Sequence, residues 1–80
     1  MSLLYDFNMD TADELAAHLS ENVKHRRLEK GLSRKALSMM SGVPVPTIAK
    51  FEQQHSISLI GFIALAKALG YTDALKSLHL

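Results

Sequence analysis

Seven of the nine basic side chains fall between residues 22 and 50: Lys24, Arg26, Arg27, Lys30, Arg34, Lys35 and Lys50, against Glu29 alone. Residues 1–21 carry Asp6, Asp10, Asp13, Glu14 and Glu21 and neither lysine nor arginine. A formal net charge of +1 therefore conceals an acidic end and a strongly basic middle. Cations gathered this way can hold a polyanion by simple Coulomb attraction. The other reading of the same charges is a solvated helix surface.

Other chemistry finds little support. Asp10, Asp13 and Glu14 sit where helix-capping residues would sit, not as a paired acid and base, and there is no glycine-rich phosphate loop or nucleophile motif. The expectation is a protein that is not an enzyme. The four histidines are His18, His25, His55 and His79. His18 and His25 can share a helix face, but no third ligand has suitable spacing, so neither metal nor cofactor is expected. The absence of cysteine removes disulfides and thiolate sites and fits a reducing cytoplasm. No apolar run approaches the ~18 residues of a membrane span. The opening Met1-Ser2-Leu3-Leu4 is too short for a secretion signal and lacks its basic flank. A cytoplasmic protein without membrane contact is expected.

The chain has 80 residues, enough for one modest core and too few for two. Residues 1–10 read as an N-terminal arm and 11–80 as one all-helical domain. The arm is apolar (Leu3-Leu4-Tyr5-Asp6-Phe7-Asn8-Met9), and it either packs on the domain, extends a dimer interface or is disordered. Strand signals are nearly absent. Thr11 and Glu14 form a T-x-x-E capping box that starts a first helix. Its predicted inner stripe is Ala12, Leu15, Ala16, Leu19 and Val23, and Gly31 ends it. Ser33 caps a short second helix, with Ala36, Leu37 and Met40 inward and Gly42 at its end. Of the adjacent Met39 and Met40, at most one can point inward. Pro44 and Pro46 lack N–H groups and fix the start of a third helix near themselves, with Ile48 and Phe51 inward. Ser58 caps a fourth, whose apolar face is Leu59, Phe62, Ile63, Leu65, Ala66 and Leu69, closed by Gly70. Thr72 caps a fifth, with Leu75 and Leu78 inside.

The second and third helices are joined by Gly42-Val43-Pro44, a connection suited to a steep crossing. Ser38 is small where the helices cross, and Gly42 suits a turn needing positive φ. Leu37, Val43, Ile48 and Phe51 have the spacing to lock the pair.

The ordered set Arg27-x-x-x-Gly31-Leu32-Ser33, Leu37, Gly42-Val43, Thr47-Ile48, Phe51-Glu52, Ser58-Leu59 and Leu65-Ala66-x-x-Leu69-Gly70 resembles the Xre family of helix-turn-helix proteins, which includes the Cro proteins and repressors of lambdoid phages. The resemblance covers roughly residues 19 to 78. It implies a five-helix, lambda-repressor-like fold whose third helix lies in the DNA major groove. Matched by position, Val45, Pro46 and Lys50 would face bases, while Arg34, Thr47 and Gln53 would meet the phosphate backbone. It also implies a structural salt bridge between Arg27 and Glu52. Several positions depart from the family. Arg34 stands where glutamine is usual, and Pro44 and Pro46 replace polar residues. Val45 offers only apolar contact, for instance to a thymine methyl, which leaves Lys50 as the clear hydrogen-bonding base reader, best suited to guanine. Sparse direct readout leaves either shape-dependent specificity or a function other than base reading.

The function so implied is a sequence-specific regulator of transcription, a repressor acting as a homodimer on a two-fold operator of double-stranded DNA. The alternative is the antitoxin of a toxin–antitoxin pair, HipB-like, which grips a toxin protein and regulates its own operon. A third reading is a protein-binding module that has lost DNA binding.

Overall fold

The computed structural model describes residues 11–77, and the expected N-terminal arm lies outside them. Among the described residues the chain forms helices only: α1 (Ala12–Glu29), α2 (Arg34–Ser41), α3 (Val45–Gln54), α4 (Leu59–Ala68) and α5 (Thr72–Lys76). Local chemistry sets most of their ends. At α1 the Glu14 amide donates to Thr11 Oγ1 (3.1 Å) and the Thr11 amide to Glu14 Oε1 (2.8 Å). Two amides that the helix leaves unpaired are thus satisfied reciprocally. Ser33 and Ser58 cap α2 and α4 in the same manner, accepting from Ala36 and Gly61. After α1 the Leu32 amide donates to Arg27 O and the Gly31 amide to Leu28 O, the paired bonds of a Schellman turn, with Gly31 at φ 69°.

The core is made by Val23 of α1, Leu37 of α2, Val43 of the turn, Ile48 and Phe51 of α3, Leu65 of α4 and Leu69 at its C-cap. Leu37, Ile48, Leu65 and Leu69 are wholly buried. Phe62 of α4 meets Phe51 edge to face, with ring centroids 6.0 Å apart. The α2–α3, α2–α4 and α1–α3 pairs pack most extensively, and Phe51 also meets α4, so among the described residues α3 is held from behind with its outer face open.

Three of the expected apolar faces and one expected cap differ. On α1 the buried positions are Ser20, Val23 and Arg27, while Leu19 is 48% exposed. The inner arc is rotated from the predicted stripe because a serine can be buried when its hydroxyl is satisfied, here by Ala17 O at 2.9 Å. On α2 Leu37 is buried and Arg34, Ala36, Ser38 and Ser41 are half-buried, an arc centred on Leu37 that turns Met40 outward beside Met39. On α4 Phe62, Leu65 and Ala66 pack inward, together with Leu69 at its C-cap. Leu59 and Ile63 lie to one side of that stripe and are exposed, as is Ile60. The predicted face was wider than one packing surface can cover. Finally, Thr72 does not cap α5 but is its first helical residue. A second Schellman turn at Gly70 hands the chain on directly. The Tyr71 amide donates back to Ala66 O, and Tyr71 O already accepts from Leu75. Leu78 lies outside the described residues.

Candidate nucleic-acid interface

The turn between α2 and α3 is built from three different constraints. Gly42 takes φ 79°, a left-handed conformation that costs a side-chain-bearing residue and suits glycine. Val43 is buried beneath the turn, and its amide donates to Ser41 Oγ at 3.1 Å. Pro44 is fixed at φ −59° and its carbonyl accepts from Thr47 and Ile48, which opens α3.

On α3 the residues Ile48, Phe51 and Glu52 are buried. Pro46, Lys50 and Gln53, at i, i+4 and i+7, lie on the opposite, exposed face. Val45 flanks them in the first turn at 37% exposure, and Thr47 is half-buried. Pro46, Lys50 and Gln53 therefore share one outward stripe, whereas Thr47 and Val45 sit on either side of it. Arg34 is on another helix, at the start of α2.

Glu52 organises the ends of three helices. Its Oε2 accepts from Arg27 Nε at 2.8 Å, and its Oε1 accepts from Arg34 Nε at 2.9 Å. Arg27 Nη2 reaches Oε1 at 3.2 Å, and Arg27 Nη1 donates to Leu32 O at 2.7 Å. The Glu52 side chain is 1% exposed and that of Arg27 8%. The Arg34–Glu52 bond is not foreseeable from the sequence, which assigns Arg34 only to the surface. Nothing local marks it, because the partners are 18 residues apart.

Burial pushes the Glu52 carboxyl up, but hydrogen bonds from Arg27 and Arg34, and then their charges, outweigh it and hold the group below the usual carboxylate range. A carboxyl with a lowered folded-state pKa stabilises the fold above its unfolded value, and that contribution disappears as pH falls through the folded value. Stability is expected to decline as the solution is acidified below about 4.5, the ordinary value for this carboxyl. Glu14, lowered by the backbone amide and then the hydroxyl of Thr11, shifts in the same direction. Urea melts at pH 7 and pH 3 should therefore differ more for the parent than for Glu52→Gln.

The cations of the middle segment divide into two groups. Arg27 is buried, and Arg34 is tied to Glu52. Arg26 sits 5.5 Å from the Tyr71 ring centre, with Nε 3.4 Å from Leu69 O. Lys30, Lys35 and Lys50 remain exposed, and Lys24 is half-buried. Much of the arginine in the basic segment thus serves the fold, and the exposed lysines carry the positive surface. His25 faces Glu29 at 3.3 Å on the exposed side of α1. Among the described residues no cluster of three or more histidines and acids is placed to hold a metal ion.

Two short helices joined at a left-handed glycine, with the second held from behind and open in front, form a helix-turn-helix DNA-binding domain. The helix-turn-helix family model HTH_3, of the Xre/Cro type, matches residues 23–75, and the chain belongs to that family. The family is DNA-binding and not enzymatic. No significant match was found among curated proteins or among solved structures. Among the described residues no helix is long and apolar enough to cross a membrane.

Proposed function

We propose that this chain is a sequence-specific transcriptional regulator, a repressor that binds a two-fold DNA operator as a homodimer in the cytoplasm. The observation that carries the reading is the exposed stripe of Pro46, Lys50 and Gln53 on a helix whose other face is locked into the core. Set in a major groove, α3 would bring Val45, Pro46 and Lys50 to base edges, with Arg34, Thr47 and Gln53 at phosphates. One such helix reads few bases. A second copy, about 34–36 Å away along the duplex, would double that number. Exposed Met39, Met40, Leu59, Ile60 and Ile63 supply apolar side chains for an interface. The same side chains would also serve a toxin protein, which keeps the antitoxin as the second reading.

Lys50→Ala is expected to weaken binding to the cognate site by about 1–3 kcal/mol while affecting random DNA much less. The measurement is a titration on both DNAs at several salt concentrations, using the region upstream of the protein's own gene as candidate operator. Equal losses on both would make Lys50 another backbone-binding residue. Light scattering showing only monomer, both free and on DNA, would remove the homodimer.

A further inference from the structure

The two arginines on Glu52 differ in what they have left to offer. Arg27 is buried, and its Nε, Nη1 and Nη2 all donate to protein oxygens. The Arg34 side chain is 33% exposed, and only its Nε is engaged; its two terminal nitrogens have no hydrogen-bond partner among the described residues. A guanidinium is a rigid plane with its donors in a fixed fork. Anchoring Nε to a buried carboxylate therefore also restricts where the terminal N–H groups point.

We propose that Glu52 is a positioning residue for nucleic-acid binding: its Oε1 holds Arg34 by Nε so that the terminal N–H fork, at the start of α2, is presented ready-formed to a backbone phosphate. The inference rests on the proposed binding of Arg34 to the DNA backbone. Arg34 then loses its rotamer freedom on folding and not again on binding. Two parallel N–H donors match the oxygens of one phosphate, which a lysine ammonium in the same place cannot do while also bonding Glu52.

The sign of one substitution separates this role from a purely structural one. A carboxylate beside a DNA-facing surface repels phosphate, so on charge alone its removal strengthens binding. Loss of positioning weakens it. The parent chain, Glu52→Gln, Arg34→Lys and Arg34→Ala would be titrated with a labelled mixed-sequence duplex of about three helical turns. Several salt concentrations would be used, at a temperature well below the melting midpoint of each variant. Binding to the backbone is independent of sequence, so no operator is required.

Arg34→Ala is expected to weaken binding about tenfold and to flatten the plot of log affinity against log salt by about one unit for each phosphate that is no longer neutralised. Arg34→Lys should lose nearly as much affinity yet keep the parent slope, since its charge remains. Glu52→Gln should weaken binding about fivefold although it removes a negative charge. If folded Glu52→Gln binds as tightly as the parent or more tightly while Arg34→Ala is weakened, Glu52 is only a tie of the fold. The inference then fails while the binding of Arg34 to DNA stands. If Glu52→Gln does not fold, Arg34→Lys decides: parent-like affinity overturns the inference, and a loss close to that of Arg34→Ala supports it. An unaffected Arg34→Ala overturns it as well, and a parent that binds no duplex removes the proposed function together with it.

Discussion

Arg27→Ala is expected to cost about 3 kcal/mol of folding stability, because removing one member of a buried ion pair leaves the other without full compensation. Three bonds go at once: Nε and Nη2 to Glu52, and Nη1 to Leu32 O. Glu52 keeps Arg34 as a partner, so its charge is not wholly stranded. The Leu32 carbonyl loses its side-chain donor, and the turn between α1 and α2 loses its tie to α3. For a domain of this size the melting midpoint should fall by about 12–24 °C. A thermal melt followed by circular dichroism measures this directly. A midpoint within a degree or two of the parent would mean that the pair is open in solution. Arg27→Met, which keeps much of the side-chain volume but no charge, separates packing from pairing, and it should still be less stable than the parent because the buried Glu52 loses two of its three arginine hydrogen bonds.

Ile48→Ala should cost a similar amount, about 3 kcal/mol, through a different cause. Ile48 is wholly buried between α3 and its supporting helices. Its truncation removes transfer free energy and leaves a cavity that the surrounding side chains only partly fill. Ile48→Val, one methylene smaller, should cost about 1 kcal/mol. Lys50, two residues on but on the opposite face of α3, provides the internal comparison. Lys50→Ala should leave stability within about 0.5 kcal/mol of the parent and change DNA affinity instead. Urea denaturation of the three variants tests the set. Equal destabilisation by Ile48→Ala and Lys50→Ala would mean that α3 does not present the open face described.

The candidate site is legible from the sequence in proportion to how local its causes are. The turn can be read because Gly42, Val43 and Pro44 each act on their own backbone, through a positive φ, an apolar plug and a missing N–H. The open stripe of α3 follows from helical periodicity once Ile48 and Phe51 are placed inward. The pairing of Arg27 with Glu52 comes from family resemblance, and the structure puts the two within 2.8 Å. The role of Arg34 is only half legible. Its position at the start of α2 suggests a surface cation, and no spacing rule links it to a carboxylate on the following helix.

The sequence by itself determined most of the helix ends: the capping box of Thr11 and Glu14, the serine caps at Ser33 and Ser58, and the glycine turns at Gly31, Gly42 and Gly70. It also determined the four residues that lock the helix-turn-helix, Leu37, Val43, Ile48 and Phe51, all of them buried. These depend on atoms within about one helical turn, or on a connection too short to allow many arrangements. Only the tertiary structure decided which part of each apolar arc is covered. It buried Ser20 while leaving Leu19, Met40, Leu59 and Ile63 exposed, and it divided the arginines between the fold and the surface. The physical reason is that periodicity fixes which side chains share a helix face. How far that face is rotated toward the core depends on which neighbouring helix packs there and on which buried polar groups find a partner.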